Sequence, residues 1–193
     1  SIQLSYRGPT RRLRLCGMTF GSVFVLLWRV SNARAPRAIW DAWSVSDRNE
    51  LPTGTVTLVF TDIEGSTALL ERLGDAYGDL LALHHATLRE IWTSHRGIEV
   101  KTDGDAFFVA FAAATDAVAA AQAGQKALAT AAWPEGVELR VRMGMHTCEP
   151  RVRDDDYWGS DVHYAARVAS AANGGQVLLS STTASIVPDA PLT

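Results

Sequence analysis

The chain has 193 residues, with 18 Lys and Arg against 21 Asp and Glu, a formal net charge of −3. Apolar residues make up 47 % and charged residues 20 %, the balance of a soluble globular protein, which excludes a disordered chain, a collagen and a coiled-coil rod. Two cysteines, Cys16 and Cys148, cannot build a disulfide scaffold or a four-thiolate zinc site, and point to a reducing cytoplasm.

Charge divides the chain. Residues 1–50 hold eight arginines against Asp41, Asp47 and Glu50, whereas residues 51–193 hold 10 basic and 18 acidic side chains. An acidic body argues against nucleic-acid binding as its task. Within 1–50, Arg11, Arg12 and Arg14 precede an apolar run from Leu15 to Trp28, followed by Ala33-Arg34-Ala35. That order resembles a secretory signal. The run is shorter than the roughly 20 residues that span a bilayer. Residues 1–50 are therefore expected to be an unstructured extension, with a membrane-associating segment and a signal peptide as lesser readings, and Leu51-Pro52-Thr53-Gly54 marks the start of a body over 51–193.

The body opens with Thr55 to Asp62, a β-branched, apolar stretch that predicts a buried strand. Ser66 is positioned to cap a helix through Leu73. Leu80, Leu81, Leu83, Leu88, Ile91 and Trp92 at helical spacing predict a second helix over 77–94. Ile98 to Lys101 and Asp105 to Phe111 flank Asp103-Gly104, a hairpin signal. Thr115 to Ala132 reads as an alanine-rich helix and Leu139 to His146 as a strand. Gly159 to Ala172 reads as a helix, Val177 to Leu179 as a short strand, and Ser181 to Val187 as a last helical turn or two. The order β-α-α-β-β-α-β-α-β predicts an α/β sandwich of ferredoxin-like type.

Asp62 ends the first strand and Asp105 begins the third. Two carboxylates brought close repel unless a cation neutralises them, and hard oxygen ligands suit Mg²⁺ or Mn²⁺. After Asp62, Ile63-Glu64-Gly65-Ser66-Thr67 is a glycine turn entering a helix, where free amides favour phosphate. His84, His85, His95 and His146 show no metal-ligand spacing and are expected to be structural or solvated.

Four segments resemble, in order and spacing, the motifs of class III nucleotidyl cyclases: Phe60-Thr-Asp-Ile-Glu-Gly-Ser-Thr67, Lys101-Thr-Asp-Gly-Asp105, Arg142-Met-Gly-Met-His146 and Asp156-Tyr-Trp-Gly-Ser-Asp-Val-His-Tyr-Ala-Ala-Arg167. The resemblance covers about 51–187 and is nearest to bacterial cyclase domains. It implies that Asp62, Asp105 and the Ile63 carbonyl hold two Mg²⁺ or Mn²⁺ ions. It implies that Lys101 and Asp156 select adenine: an ammonium and a carboxylate match N1 and N6 of adenine and oppose the reversed polarity of guanine. Arg142 matches a phosphate-contacting arginine, and Arg167 the arginine that stabilises charge on the α-phosphate. The Gly65-Ser66-Thr67 turn, as a helix N-terminus, is expected to bind the phosphates. His163 stands where better-known members have the asparagine that orients the ribose, Cys148 replaces a glycine, and Ser66 replaces a frequent Phe. The sequence ends at Thr193, before the family's final strand region and its phosphate-binding lysine, so the implied core lacks those strands. Tyr157 and Trp158 are expected to pack a base-side wall or a dimer seam.

The resemblance further implies a homodimer, because metal-bearing and base-reading residues of one site come from different subunits. The leading expectation is an adenylate cyclase. A catalytically weak cyclase-homology module that binds nucleotide or a partner remains the alternative.

Overall fold

The computed structural model describes residues 50–134 and 136–187. The expectations for the basic leader and for Cys16 fall outside those residues. The described residues lie within one compact unit, Arg48–Thr193.

Its elements run β1 (Val56–Ile63), α1 (Ser66–Leu73), a 3₁₀ turn (Gly74–Ala76), α2 (Tyr77–Ser94), β2 (Ile98–Asp103), β3 (Ala106–Phe111), α3 (Ala114–Thr130), β4 (Val141–Cys148), β5 (Arg151–Arg153), β6 (Asp156–Trp158), α4 (Ser160–Ser170), β7 (Val177–Leu179) and α5 (Ser181–Ile186). Five strands form one sheet in the order β2-β3-β1-β4-β7. β1 lies antiparallel to both β3 and β4, β2 antiparallel to β3, and β7 parallel to β4. The first four strands thus have the expected ferredoxin-like order, with β7 added at one edge.

The period of two along the strands divides the core. One sheet face carries Val59, Ile63, Phe107, Val109, Phe111, Val141, Met143 and Met145, and packs on Leu80, Leu88 and Trp92 of α2 and on the alanines of α3. Trp92 meets Phe107 and Phe111 edge-on, with centroids 6.5 and 6.3 Å apart. The other face carries Val56, Leu58, Phe108 and Ala110, covered by Tyr157 and by Ala165 of α4. Phe60 stacks on Phe108 at 4.3 Å on this second face.

Two glycines are dictated by close approach. A Cβ on Gly144 of β4 would lie 2.2 Å from the backbone nitrogen of Ala169, so α4 crosses β4 where no side chain intervenes. A Cβ on Gly97 would lie 2.6 Å from Cζ of Phe111. Gly97 also closes α2: its N–H donates to the Trp92 carbonyl at 2.7 Å and that of Arg96 to Thr93 at 3.1 Å. This paired closure has a left-handed residue at its centre, here Arg96 at φ 61.

Several local expectations need correction. The strands are displaced by one or two residues, β1 starting at Val56 and β4 running from Val141 to Cys148. The hairpin between β2 and β3 turns on Gly104 and Asp105, because Asp103 pairs with Ala106. Gly104 takes φ 58 as the first of the two central residues. Ser66 does not cap α1: Gly65, left-handed at φ 69, stands at the cap, and no side chain bonds there. The β5–β6 hairpin was not foreseen. It pairs Arg151 with Trp158 and Arg153 with Asp156, and turns through Asp154 and Asp155 at φ 54 and 59. Two successive positive φ values make a tight hairpin turn that Gly or Asn usually supplies and that Asp tolerates.

Candidate active site

The central strand delivers the first acid. Asp62 is the penultimate residue of β1 and sits opposite Arg142 of β4 in the register. The pair is bidentate, Arg142 Nε donating to Oδ1 at 2.7 Å and Nη2 to Oδ2 at 2.5 Å. Both side chains stay partly open to solvent. The Asp62 hydrogen bond, ahead of the nearby Asp62, Glu64 and Asp105 charges, raises the Arg142 pKa above its ordinary value. Arg142 is therefore the counter-charge of a local acidic cluster.

The β2–β3 turn delivers the second acid. Asp105 Oδ2 accepts the Ile63 N–H at 2.8 Å, so the two acids belong to adjoining positions at one end of neighbouring strands. Asp105 thus meets the main chain at Ile63, next to Asp62, and Arg142 pairs with Asp62. The turn is held from below, where His85 Nε2 lies 3.0 Å from the Gly104 carbonyl. Beneath the hairpin His84 is fully buried, and neither ring nitrogen has a partner. Burial, reinforced by His85 and opposed by Asp105, pushes its pKa down to about 4, so His84 is neutral. Burial followed by the Asp105 charge raises the Tyr77 pKa.

The turn between β1 and α1 completes this corner. Gly65 allows the left-handed bend, and the Leu69 N–H returns to the Gly65 carbonyl at 3.0 Å. The first amides of α1, at Ser66 and Thr67, thus begin immediately beyond Asp62 and Ile63. Glu64 has a structural task that sequence reasoning missed. Its Oε1 accepts the Gly174 N–H at 2.9 Å, tying this turn to the loop after α4. A Cβ at Gly174 would lie 2.5 Å from Glu64 Oε2, so the two glycines beyond Asn173 were the available signal.

Among the described residues no hydrogen bond or ion pair links the second set of expected residues to the first. Lys101 is exposed on β2, and its ammonium has no partner among the described residues. Asp156 begins β6, and its Oδ1 accepts the neighbouring Tyr157 N–H at 2.8 Å. His163 and Arg167 are both exposed on α4, one turn apart. The Arg167 guanidinium lies over the Tyr164 ring, 5.8 Å from its centroid. Tyr157 is core: it packs on Phe108 and donates its hydroxyl to the Pro52 carbonyl at 2.6 Å. Burial, followed by the neighbouring Cys148, pushes its pKa up to about 12. Trp158 is 59 % exposed and forms no wall within the chain.

The donor set at the first corner fits a hard divalent cation. One carboxylate, Asp105, is oriented by the Ile63 amide, the other belongs to the residue before Ile63, and the main chain next to them supplies oxygen. Among the described residues no three His, Cys, Asp or Glu side chains converge. A cation at this corner would therefore draw further ligands from backbone, water or phosphate oxygens, the usual habit of Mg²⁺.

The adenylate and guanylate cyclase catalytic domain profile matches residues 49–190. The chain belongs to this family. This cyclase domain is 37 % identical over 155 residues to an adenylate cyclase of Neurospora crassa, covering 67 % of the chain and 7 % of that relative. It is 38 % identical over 138 residues to an uncharacterized protein of Mycobacterium tuberculosis, covering 70 % of the chain and 46 % of that protein. The domain thus spans less than half the length of these curated relatives. Among solved structures it resembles a Trypanosoma brucei adenylate cyclase in its monomeric state, with TM-score 0.65 and 34 % identity, over 71 % of this chain and 79 % of that one. It also resembles the adenylyl cyclase CyaB of Pseudomonas aeruginosa, with TM-score 0.56 and 30 % identity, over 70 % of this chain and 81 % of that one. Among the described residues no helix is long and apolar enough to cross a membrane.

Proposed function

We propose that this cyclase domain converts ATP to 3′,5′-cyclic AMP and pyrophosphate, at sites shared between two copies of the chain. The observation that carries the reading is the Asp62–Asp105 corner, where Asp105, far from β1 in sequence, accepts the N–H of Ile63, the residue after Asp62. Asp62, Asp105 and the Ile63 carbonyl would hold two Mg²⁺ or Mn²⁺ ions. Bound there, divalent cations supply activation of the ribose 3′-hydroxyl and charge neutralisation of the triphosphate.

The chain's own residues do the rest. The Gly65-Ser66-Thr67 turn presents helix amides to phosphate oxygens. Arg142 moves from Asp62 to a phosphate once the acid has another counter-charge. The 3′-hydroxyl gives up its proton to water as its oxygen attacks the α-phosphorus, the bond from that phosphorus to the α,β-bridging oxygen breaks, and pyrophosphate leaves. Arg167 of the second copy stabilises the charge gathering on the α-phosphate oxygens. His163, one turn before it, orients the ribose, and Lys101 with Asp156 read the adenine edge. The exposure of Lys101, His163 and Arg167, none of them bonded to Asp62 or Asp105 of their own chain, supports a site completed by a partner. A head-to-tail two-fold pair would then build two equivalent sites.

The alternative is a nucleotide-binding module with little turnover. The observation in its favour is the bidentate Asp62–Arg142 pair, which occupies a proposed cation ligand. One assay separates the two. With Mn²⁺ present, the purified chain should form cyclic AMP from ATP in preference to cyclic GMP from GTP, and Asp105→Ala should lower ATP turnover at least about a hundredfold. Wild-type turnover in Asp105→Ala would remove the cation assignment. Nucleotide binding without turnover in the wild type would establish the module.

A further inference from the structure

Beyond the corner, β4 ends in a polar group that the reaction above leaves unused. His146 is buried at 7 % exposure. Its Nδ1 lies 2.8 Å from Ser180 Oγ. Ser180 is itself immobilised, because its Oγ accepts the Thr183 N–H at the start of α5 and lies 3.1 Å from Thr183 Oγ1. Thr183 Oγ1 in turn lies 3.1 Å from Thr147 Oγ1, which lies 2.9 Å from Thr57 Oγ1. The His146 ring is thus fixed in a buried hydrogen-bonded chain that runs into the central strand.

What that ring supports is on α4. It meets Tyr164 edge-on, with centroids 4.8 Å apart and an interplanar angle of 76°. On its other side, His146 Nε2 lies 3.8 Å from Asp161 in the first turn of the same helix. Tyr164 is 40 % exposed, and the Arg167 guanidinium sits over its ring. Ser180, His146, Tyr164 and Arg167 form one contiguous stack from a buried helix cap to an exposed cation.

We infer that Tyr164, backed by His146, is the positioning residue for Arg167, holding its guanidinium where a partner's α-phosphate arrives. The inference rests on the role proposed above for Arg167. An exposed arginine samples many rotamers, and each must be given up when the reacting geometry forms. A ring under the guanidinium restricts that sampling in advance without competing for the N–H donors, which remain free for phosphate oxygens. A hydrogen-bonding carboxylate in the same place would consume those donors.

The test uses the intact chain carrying Tyr164→Leu or Tyr164→Phe, each alone and combined with Arg167→Ala. Tyr164→Leu should lower kcat about fivefold with KM for ATP unchanged. Tyr164→Phe, which keeps the ring, should retain the wild-type kcat. In the Arg167→Ala background Tyr164→Leu should cost nothing more. An equal loss in both backgrounds would overturn the inference, since Tyr164 would then act through the fold instead of through Arg167. Nuclear magnetic resonance supplies a readout free of turnover. The Arg167 side-chain protons should be shifted upfield by the ring in wild type and Tyr164→Phe, and released in Tyr164→Leu. Identical Arg167 shifts in Tyr164→Leu and wild type would overturn the stacking. Full activity in Arg167→Ala would instead overturn the role of Arg167, and the catalytic half of the inference with it, while the spectrum still decides the stacking.

Discussion

Asp62 carries two relationships that compete. Its carboxylate is engaged by both donors of Arg142, yet the same carboxylate is the cation ligand proposed for the site. Partly exposed pairs of this kind contribute only about 0–1 kcal/mol, so Arg142 sets orientation more than stability and can be displaced by a stronger counter-charge. His84 is the opposite case, a residue that matters for stability. Unfolded, its imidazole takes a proton below about pH 6.5, whereas burial delays that in the folded chain to about pH 4. The folded state is therefore undiminished above pH 6.5 and loses stability as the pH falls toward 4, because the unfolded chain binds the extra proton. Between pH 7 and pH 5 this one group should remove about 2 kcal/mol. Urea unfolding of wild type and His84→Leu at both pH values checks it. The variant should lose correspondingly less over that interval, and equal losses would show that His84 does not carry the effect.

At the scale of elements, the helix that bears His163 and Arg167 is located by a missing side chain. α4 approaches β4 so closely at Gly144 that Ala169 occupies the space of a Cβ. Gly144→Ala should force the two apart and cost about 1–3 kcal/mol, as other overpacked sites do. Because the displaced helix holds Arg167, turnover should fall more than the stability loss alone explains. Thermal unfolding and cyclase assays well below the transition measure the two effects separately. An active chain of wild-type stability would mean that α4 relaxes elsewhere. The β5–β6 hairpin teaches a related lesson. Its turn residues, Asp154 and Asp155, carry no glycine to announce a left-handed bend, and its strands have three residues each, too few for a period to register. Asp-Gly at 103–104 did announce a hairpin, but strand pairing chose Gly104-Asp105 as its centre. That shift places Asp105 in the turn, where its carboxylate can reach the Ile63 amide.

At the scale of the whole molecule, the proposed site takes its cation ligands from the acidic corner and its base- and phosphate-contacting groups from the exposed Lys101, His163 and Arg167. If each site draws on two chains, an Asp62→Ala chain and an Arg167→Ala chain should each keep only a small residual turnover, and mixing them should raise activity in heterodimers through one intact site. Equal mixtures that equilibrate freely should reach about a quarter of the wild-type rate, since half of the dimers then have one of their two sites complete. Sedimentation with differently labelled chains would prove that heterodimers form, and no recovery in their presence would refute shared sites.

The linear order of residues was sufficient to determine the α/β class, nearly every element, and the four motifs that carry the cyclase resemblance. Hydrophobic period and glycine placement are local properties, and Thr55 to Asp62 or Leu80 to Trp92 display them without reference to anything distant. It could not decide that Asp62 meets Arg142, that Asp105 is oriented by Ile63, or that Glu64 is anchored at Gly174. Nor could it show that His146, which has no metal-ligand spacing, underlies a stack ending at Arg167. Those outcomes depend on strand register and on a helix crossing at Gly144, and both are chosen by contacts between segments tens of residues apart, whose energies no local pattern contains.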